Sequence, residues 1–472
     1  MAGSPPLSPE LWSTIRPAAQ VELLVVFAAY EARLAQLEGR IAELEAELGK
    51  DSTNSSKPPS TGHPHAKPVS NKPKSKRRVG GQPGHLKHER ALIPSEECQA
   101  VISCLPTACR RCGEALAGTD SQPLRHQVWE LLDIQPLVTE YQQHRLICRC
   151  GCSTCGVLPA GVPTGQAGPR LVAFAGLLMA CFRQSKRRAA MFMELILNQP
   201  ASSGWMVALQ NRASEAVEPA YDELAGLLPA QPILALDESP TKEGKRKAWV
   251  WTFVAQTFTL FACRTSRAAD VVVPLLKAEF PGVIHCDRAK MYWAFARLQW
   301  CWAHLKRDFQ ALIDSSCPTR RRLGYDLMRP TKELFALWTK VRDGTLTRQS
   351  FQEQMQPIRA RVESLLLRGD FNARTKGFCK ELWKYRERLW VFVDVEGVEP
   401  TNNAAERSLR HAVIWRKLSF GAQSASGSRF VERMLTVIET CRMQKMDVFA
   451  WLIGAVEARQ AGRHCPSLVT GV

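Results

Sequence analysis

Two short apolar runs, each ending on an aspartate, constrain this chain most. Asp237 follows the run 233–236 in PILALDESPT, and Asp287 closes GVIHCD in GVIHCDRAKMYW after the apolar pair 283–284. Runs of this length read as short buried strands, so both carboxylates come to strand ends, where they can face one point. A third acid, Glu406 in PTNNAAERSLR, lies where Ala405, Leu409 and Val413 recur every four residues, with Asn402 or Asn403 placed to cap a helix. A helix laid across the sheet would bring Glu406 to the two aspartates. Together the three would hold two Mg²⁺ or Mn²⁺ ions, the arrangement that serves in-line phosphoryl transfer. Taken singly each has an ordinary alternative: an Asp after a strand often caps a turn, and an Arg-flanked Glu often makes a surface pair.

The chain has 472 residues, enough for three or four units and at least one sizeable core. Its formal charge of +18 favours a polyanionic partner and binding that weakens with salt. Charge alone does not choose among nucleic acid, an anionic membrane and the ribosome. The opening MAGSPPLSPE lacks a basic leader region, and the longest apolar run, 171–182, is too short to span a bilayer. A soluble protein acting in the cytoplasm, with no membrane partner, is the expectation. Half of the 16 cysteines fall between Cys98 and Cys155, and the rest are scattered singly, as buried free thiols usually are.

Along the chain the pattern changes several times. Residues 18–50 carry Leu23, Phe27, Tyr30, Leu34, Leu37, Ile41, Leu44 and Leu48 at alternating spacings of four and three, a heptad seam that predicts a coiled coil and self-association. An amphipathic helix docked on its own chain is the alternative. Residues 51–95 form a Pro-rich basic linker, in which Lys74, Lys76, Arg77 and Arg78 are candidate DNA-backbone contacts. Residues 96–160 read as a zinc-binding module. Cys109 and Cys112 form a Cys-x-x-Cys pair, and CRCGCSTCG supplies Cys148, Cys150, Cys152 and Cys155. Four cysteines suit a structural Zn²⁺. Cys148 with Cys150 is the preferred second pair, with Cys152 and Cys155 left open, and the stretch between the cysteine clusters reads as two strands joined at Pro136.

Residues 161–230 read as a helical DNA-binding or connecting region. From 231 to 455 the strand signals AWVWTFVAQ, TLFACRT and GVIHCD, the helix signal ADVVVPLLKAEF and the strand-to-helix run LQWCWAHLKRDFQALI describe a sheet flanked by helices. A helical insertion is expected at about 318–395, and a tail at 456–472.

The runs DSTNSSKPPS, GGQPGH, ALDESPTKEG, CDRAKMYW, CWAHLKRDF, NNAAERSLR and SFGAQSASGSRFVERMLTVIETCR, in that order around the cysteine cluster, resemble the large transposase of the insertion-sequence sixty-six group. The resemblance covers roughly residues 20–455. It implies a multidomain α/β protein whose ribonuclease H-like catalytic core carries a helical insertion, preceded by a coiled-coil helix, basic linker and zinc ribbon. Asp237, Asp287 and Glu406 match the family's catalytic acids, and His304, Lys306 and Arg307 match positions near the scissile strand. Arg416, Lys417, Ser424 and Arg429 are further candidate phosphate contacts.

The implied activity is metal-dependent cleavage at transposon ends followed by strand transfer into target DNA, with Mg²⁺ or Mn²⁺ in the active site and structural Zn²⁺. The implied partners are DNA, further copies of the chain and accessory proteins encoded by the same element, at the nucleoid. Two other readings stand beside it: a non-catalytic, domesticated DNA-binding zinc protein, and a structure-specific nuclease. Tyr292, near Lys290 and Arg288, is a superficial candidate for a recombinase nucleophile, unaccompanied by any further recombinase pattern.

Overall fold

The computed structural model describes residues 8–50 and 90–469. After a short α1 (Pro9–Ser13), the heptad segment forms the 32-residue helix α2 (Pro17–Leu48). No residue of α2 is buried, and Tyr30, Leu34 and Ile41 on its seam are more than half exposed. Lys74, Lys76, Arg77 and Arg78 lie outside the described residues.

The cysteine-rich segment holds little regular structure. A bridge pairs Ala108 with Ala115, and β1 (Arg145–Ile147) pairs antiparallel with β2 (Ser153–Cys155). The two strands predicted on either side of Pro136 are not formed: only the last three residues of that stretch pair, and they pair forward, across the Cys148–Cys152 turn. Val128, Leu131, Leu137 and Val138 are all at least 80% exposed, so no second layer covers an alternating face there.

Four helices precede the sheet: α3 (Pro169–Ala180), α4 (Lys186–Leu197), α5 (Ser203–Ala216) and α6 (Glu218–Leu227). Ser185 and Ser202 cap α4 and α5 by accepting from Arg188 and Trp205 backbone N–H groups, and α3 is apolar nearly all round because it is buried against α5 and its neighbours.

The sheet is built from β3 (Ile233–Glu243), β4 (Arg246–Val254), β5 (Thr259–Arg264), β6 (Val283–Cys286) and β7 (Leu298–Trp300), in the spatial order β5-β4-β3-β6-β7. The first three form an antiparallel meander, with Asp237 opposite Thr252 and Trp251 opposite Ala262. The remaining two add parallel to β3 and to each other, with Ala235 opposite His285 and Cys286 opposite Trp300. Helix α7 (Ala269–Leu276) makes the crossover that a parallel neighbour requires, and α8 (Trp302–Ile313) follows β7 directly.

Helices α9 (Pro318–Arg342), α10 (Arg348–Asp370), α11 (Lys376–Lys384) and α12 (Val391–Asp394) then leave the sheet before α13 (Asn403–Ser419), α14 (Ala425–Met443) and α15 (Val448–Gln460) return to it and to the helices preceding it. The return of the excursion is fixed at β7. Trp302 stacks on Trp390 at 5.0 Å and donates its indole N–H to the Leu389 carbonyl at 2.7 Å, and buried Gln299 accepts the Phe392 amide at 2.8 Å. No helix among the described residues is long and apolar enough to cross a membrane.

The outer edge of β5 is closed by side chains of α14. Thr440 Oγ1 accepts from the Thr259 amide at 3.2 Å, Thr436 Oγ1 from Phe261 at 2.9 Å, and Glu432 Oε2 from Cys263 at 2.6 Å. The match is geometric: alternate strand residues repeat at about 6.6 Å and helix residues four apart at about 6 Å, so the two ladders run in near register. Glu432 is itself held by Arg264 at 2.9 Å and Arg429 at 3.0 Å. Thr436→Val keeps the shape but leaves the buried Phe261 amide unpaired, so denaturant titration should show a loss of about 1–3 kcal/mol. An exposed control such as Thr339→Val should change stability by less than about 0.5 kcal/mol.

Candidate active site

Small side chains let α13 come close to the sheet. Ala405 packs with Ala235 and Val254, and Ala404 lies alongside. Asn402 takes the N-cap position, as expected, but its side chain does not cap the helix. Its Nδ2 donates instead to the Leu236 carbonyl at 2.6 Å, and its amide donates to Cys301 Sγ at 3.2 Å. The start of α13 is thus tied to the residue before Asp237 and to the start of α8, whose Trp302 amide donates to the Pro400 carbonyl at 2.8 Å.

Asp237 sits within β3, Asp287 directly after β6, and Glu406 in the first turn of α13. Their charges bear on one another. Burial first, and then the negative charges of Glu238, Asp287 and Glu406, push the Asp237 carboxyl up to about 8. Burial raises Glu406 as well, opposed by Arg307 and reinforced by Asp287. Asp237 Oδ1 accepts the Glu238 amide at 2.9 Å and Asp287 Oδ1 the Ala289 amide at 2.8 Å. Glu406 Oε1 and Asn402 Oδ1 are buried acceptors with no hydrogen-bond partner. Among the described residues no ion pair joins Asp237 or Asp287 to a lysine or arginine. Unneutralised carboxylates with orphaned oxygens fit a hard divalent cation.

His304, in the first turn of α8, faces Glu406 with its Nδ1 at 3.7 Å from Oε1. Burial and the nearby Arg307 lower its pKa to about 4, so the ring is neutral at ordinary pH. Cys301, His304 and Glu406 bring one donor atom each within 4.8 Å of one another, a set that a cation could also use. Lys306 is exposed on α8 and Arg307 half-buried.

Three neighbours were missed from the sequence. Glu238, whose side chain points to the opposite face of β3 from Asp237, accepts from Tyr292 Oη at 2.5 Å and from Arg267 at 2.7 Å. Arg288 is held away from the acids by Asp308 and Glu381, each at 2.9 Å, joining the residue after Asp287 to α11. His285 is fully buried with its Nε2 unpartnered, and burial lowers its pKa to about 3. Only the apposition of Asp and Glu in LDES signalled any of these. Tyr292 is buried, its hydroxyl donates to Glu238, and its pKa is raised far above the usual range by burial and that charge, so it does not serve as a nucleophile.

Two predicted phosphate contacts are turned inward. Arg429 donates to the Cys263 carbonyl at 2.8 Å and pairs with Glu432, and Arg416 donates to the Pro240 carbonyl. Both lie in helices, where packing against the sheet supplies protein acceptors. Lys417 remains exposed in the last turn of α13, and Ser424 caps α14 by accepting from the Gly427 amide at 3.2 Å. In the cysteine-rich segment, Cys109 pairs with Cys112 and Cys148 with Cys150. Backbone amides of Cys112 and Arg111 lower the Cys109 pKa, and the Cys150 amide lowers that of Cys148, the environment a thiolate ligand needs. Cys155 Sγ turns to the Gln143 carbonyl at 3.8 Å. The two pairs do not converge on a point among the described residues.

Fold and site together define a mixed α/β protein that gathers carboxylates from two strands and a helix. Residues 164–429 match the Transposase IS66 family, more than half of the chain, and the chain belongs to that family. Residues 7–91 match a family of unknown function, DUF6444. Similar proteins occur in Sinorhizobium fredii, each itself uncharacterized. Protein y4qI is 28% identical over 233 residues, 44% of this chain and 42% of that protein, so less than half of its length is covered. Protein y4jD is 22% identical over 430 residues, 82% of this chain and 79% of that one, and y4hP 25% identical over 419 residues, 78% and 72%.

The shifted groups fix a pH dependence. Asp237 has a folded pKa of about 8 against an ordinary value of 3.8, so the stability it contributes is complete in acid and lost as pH rises through 8. His285 and His304, held down at about 3 and 4, act oppositely and cost stability as pH falls below 6.5. In metal-free buffer the Tm should therefore decline between pH 6.5 and 8.5, and Asp237→Asn should flatten that limb.

Proposed function

We propose that this chain is a DNA transposase that cleaves at the ends of its element and joins the freed 3′-hydroxyl to target DNA, on a ribonuclease H-like core. The observation that supports this is that Asp237, Asp287 and Glu406, from β3, the end of β6 and α13, lie near enough for their charges to act on one another, without a cationic partner for either aspartate. The strand order, an antiparallel meander extended by two parallel strands, supports the core assignment. Mg²⁺ or Mn²⁺ held by these three acids would supply Lewis-acid stabilisation of the attacking and leaving oxygens.

The chain's own residues do the rest. The carboxylates would hold the cations that bind the phosphate, and the Ala404–Ala405 contact with the sheet sets the distance of Glu406 from the aspartates. Neutral His304 borders Glu406 and limits where its carboxylate can turn. Exposed Lys306, with Arg307 one residue on, offers cations to the DNA backbone beside the acids. Cys109, Cys112, Cys148 and Cys150 are the proposed ligands of a structural Zn²⁺, and the unpartnered seam of α2 is the proposed self-association surface. The chain then works on the nucleoid in the cytoplasm, with accessory proteins of its element as further partners.

A cleavage and joining assay on the DNA flanking this gene, with Mg²⁺ or Mn²⁺ and accessory factors supplied, tests the reading. Nicks at discrete ends with joined products are expected from the wild type. Asp287→Asn should lower both by at least about 10³-fold while leaving DNA binding intact. Cut products that are never joined would indicate a structure-specific nuclease, and binding without cleavage in both proteins a DNA-binding protein. Separately, metal analysis should find about one zinc per chain, lost in Cys109→Ser and in Cys148→Ser.

A further inference from the structure

The turn between β3 and β4 and the loop between α13 and α14 are joined into one projecting surface. Gly244, with φ 58°, opens the hairpin turn, and its amide donates to the Ala422 carbonyl at 2.8 Å. The Ala422 amide returns a bond to the Lys242 carbonyl at 2.9 Å, and Glu243 bridges to Ala422 in parallel pairing. Gly421, with φ 98°, makes the contact close: a Cβ there would meet the Lys242 carbonyl oxygen at 2.6 Å. Residues 242–247 carry four cations, Lys242, Lys245, Arg246 and Lys247, all exposed, and one half-buried acid, Glu243. Exposed Lys417 lies at the end of the adjoining helix.

Next to Gly421, which contacts Lys242, stands an aromatic residue that the fold does not use. Phe420 ends α13 in the left-handed conformation, φ 57°, and is 83% exposed. Helices ordinarily end that way on Gly or Asn, because a side chain is strained there. Phe420 thus adopts an unfavourable backbone conformation without burying its ring. Apolar side chains presented among lysines and arginines are the means by which proteins wedge into a base step while phosphates on either side are neutralised.

We propose, on the transposase reading above, that Phe420 is a DNA wedge, inserted at a base step and flanked by phosphate contacts from the hairpin tip. Its distance from the acids follows from the two elements that run there. From Asp237 to Lys242 is five residues of β3, about 17 Å, and from Glu406 to Phe420 fourteen residues of α13, about 21 Å. At about 3.4 Å per base pair the wedge meets duplex DNA about five or six base pairs from the scissile phosphate. Duplex DNA fits this surface better than a second copy of the chain, which would bring its own hairpin cations against these.

The test uses the full chain and duplexes from the element's flanks carrying 2-aminopurine at successive positions, read by fluorescence, with cleavage measured in parallel. Wild type should brighten the probe at one step about five or six base pairs from the cut. Phe420→Gly, which removes the ring and relieves the strained backbone, should lose that signal with unchanged or higher Tm, and Phe420→Trp should retain it. Phe420→Gly should also cleave more slowly, and a mismatch placed at that step should restore its cleavage. Replacing Lys245, Arg246 and Lys247 together by Ala should lower the salt dependence of binding by about three phosphate contacts. Normal cleavage with an unchanged signal in Phe420→Gly would overturn the wedge alone, and so would a change of oligomeric mass in that variant, which would make Phe420 a contact between copies. A wild type that binds no DNA would overturn the transposase reading itself.

Discussion

Negative charge crowded into a poorly solvated space is the constraint around which this fold is arranged. Asp237, Glu238, Asp287 and Glu406 come from three elements, and burial penalises the ionised forms of Asp237, Glu238 and Glu406. The two sides of β3 handle this differently. Glu238, on one side, is satisfied by Tyr292 and Arg267. On the other side Asp237 and Asp287 each accept a main-chain amide but pair with no arginine, and Arg288, one residue from Asp287, is drawn off by Asp308 and Glu381. An arginine turned inward would neutralise these acids and occupy the space proposed for cations and phosphate. The repulsion left unrelieved is the property that would give the proposed site an affinity for metal.

Much of the sheet was legible because its strands are continuous apolar runs bounded by polar residues. PILALD and GVIHCD are buried on both faces, and a strand of that kind announces itself in composition. Helix α13 was legible from its four-residue repeat. Tertiary choices were not. The pattern around Pro136 alternates well enough for two strands, but nothing packs over it, and alternation alone does not make a sheet. Asn402 has the residue type of a cap and spends its amide on the Leu236 carbonyl. Arg416 and Arg429 read as free cations because their partners, a carbonyl on β3 and a glutamate on α14 beside a β5 carbonyl, are set by how the helices dock.

The helical excursion between β7 and α13 is joined to the neighbourhood of the acids at two points near its C-terminal end. Glu381 on α11 holds Arg288 beside Asp287, with the guanidinium over the Phe378 ring at 5.4 Å. Trp390 and Leu389 hold Trp302, at the start of the helix that carries His304. A displacement of the excursion by bound DNA would thus be felt at Asp287 and at the neighbour of Glu406 together. Such an arrangement suits a site that must not react before its substrate is seated.

The side-chain ladder on β5 bears on how the chain is made as well as on how it stands. The strand at 259–263 is synthesised long before Glu432, Thr436 and Thr440, so a nascent chain holds a three-stranded meander whose outer amides have no partner. An open edge of that kind invites pairing with any extended segment nearby, including the same strand of another nascent chain. Helix α14 closes it only once residues 432–440 have been made. Chains cut short before residue 425 would keep the acids Asp237, Asp287 and Glu406 but leave this edge open to pairing with another chain.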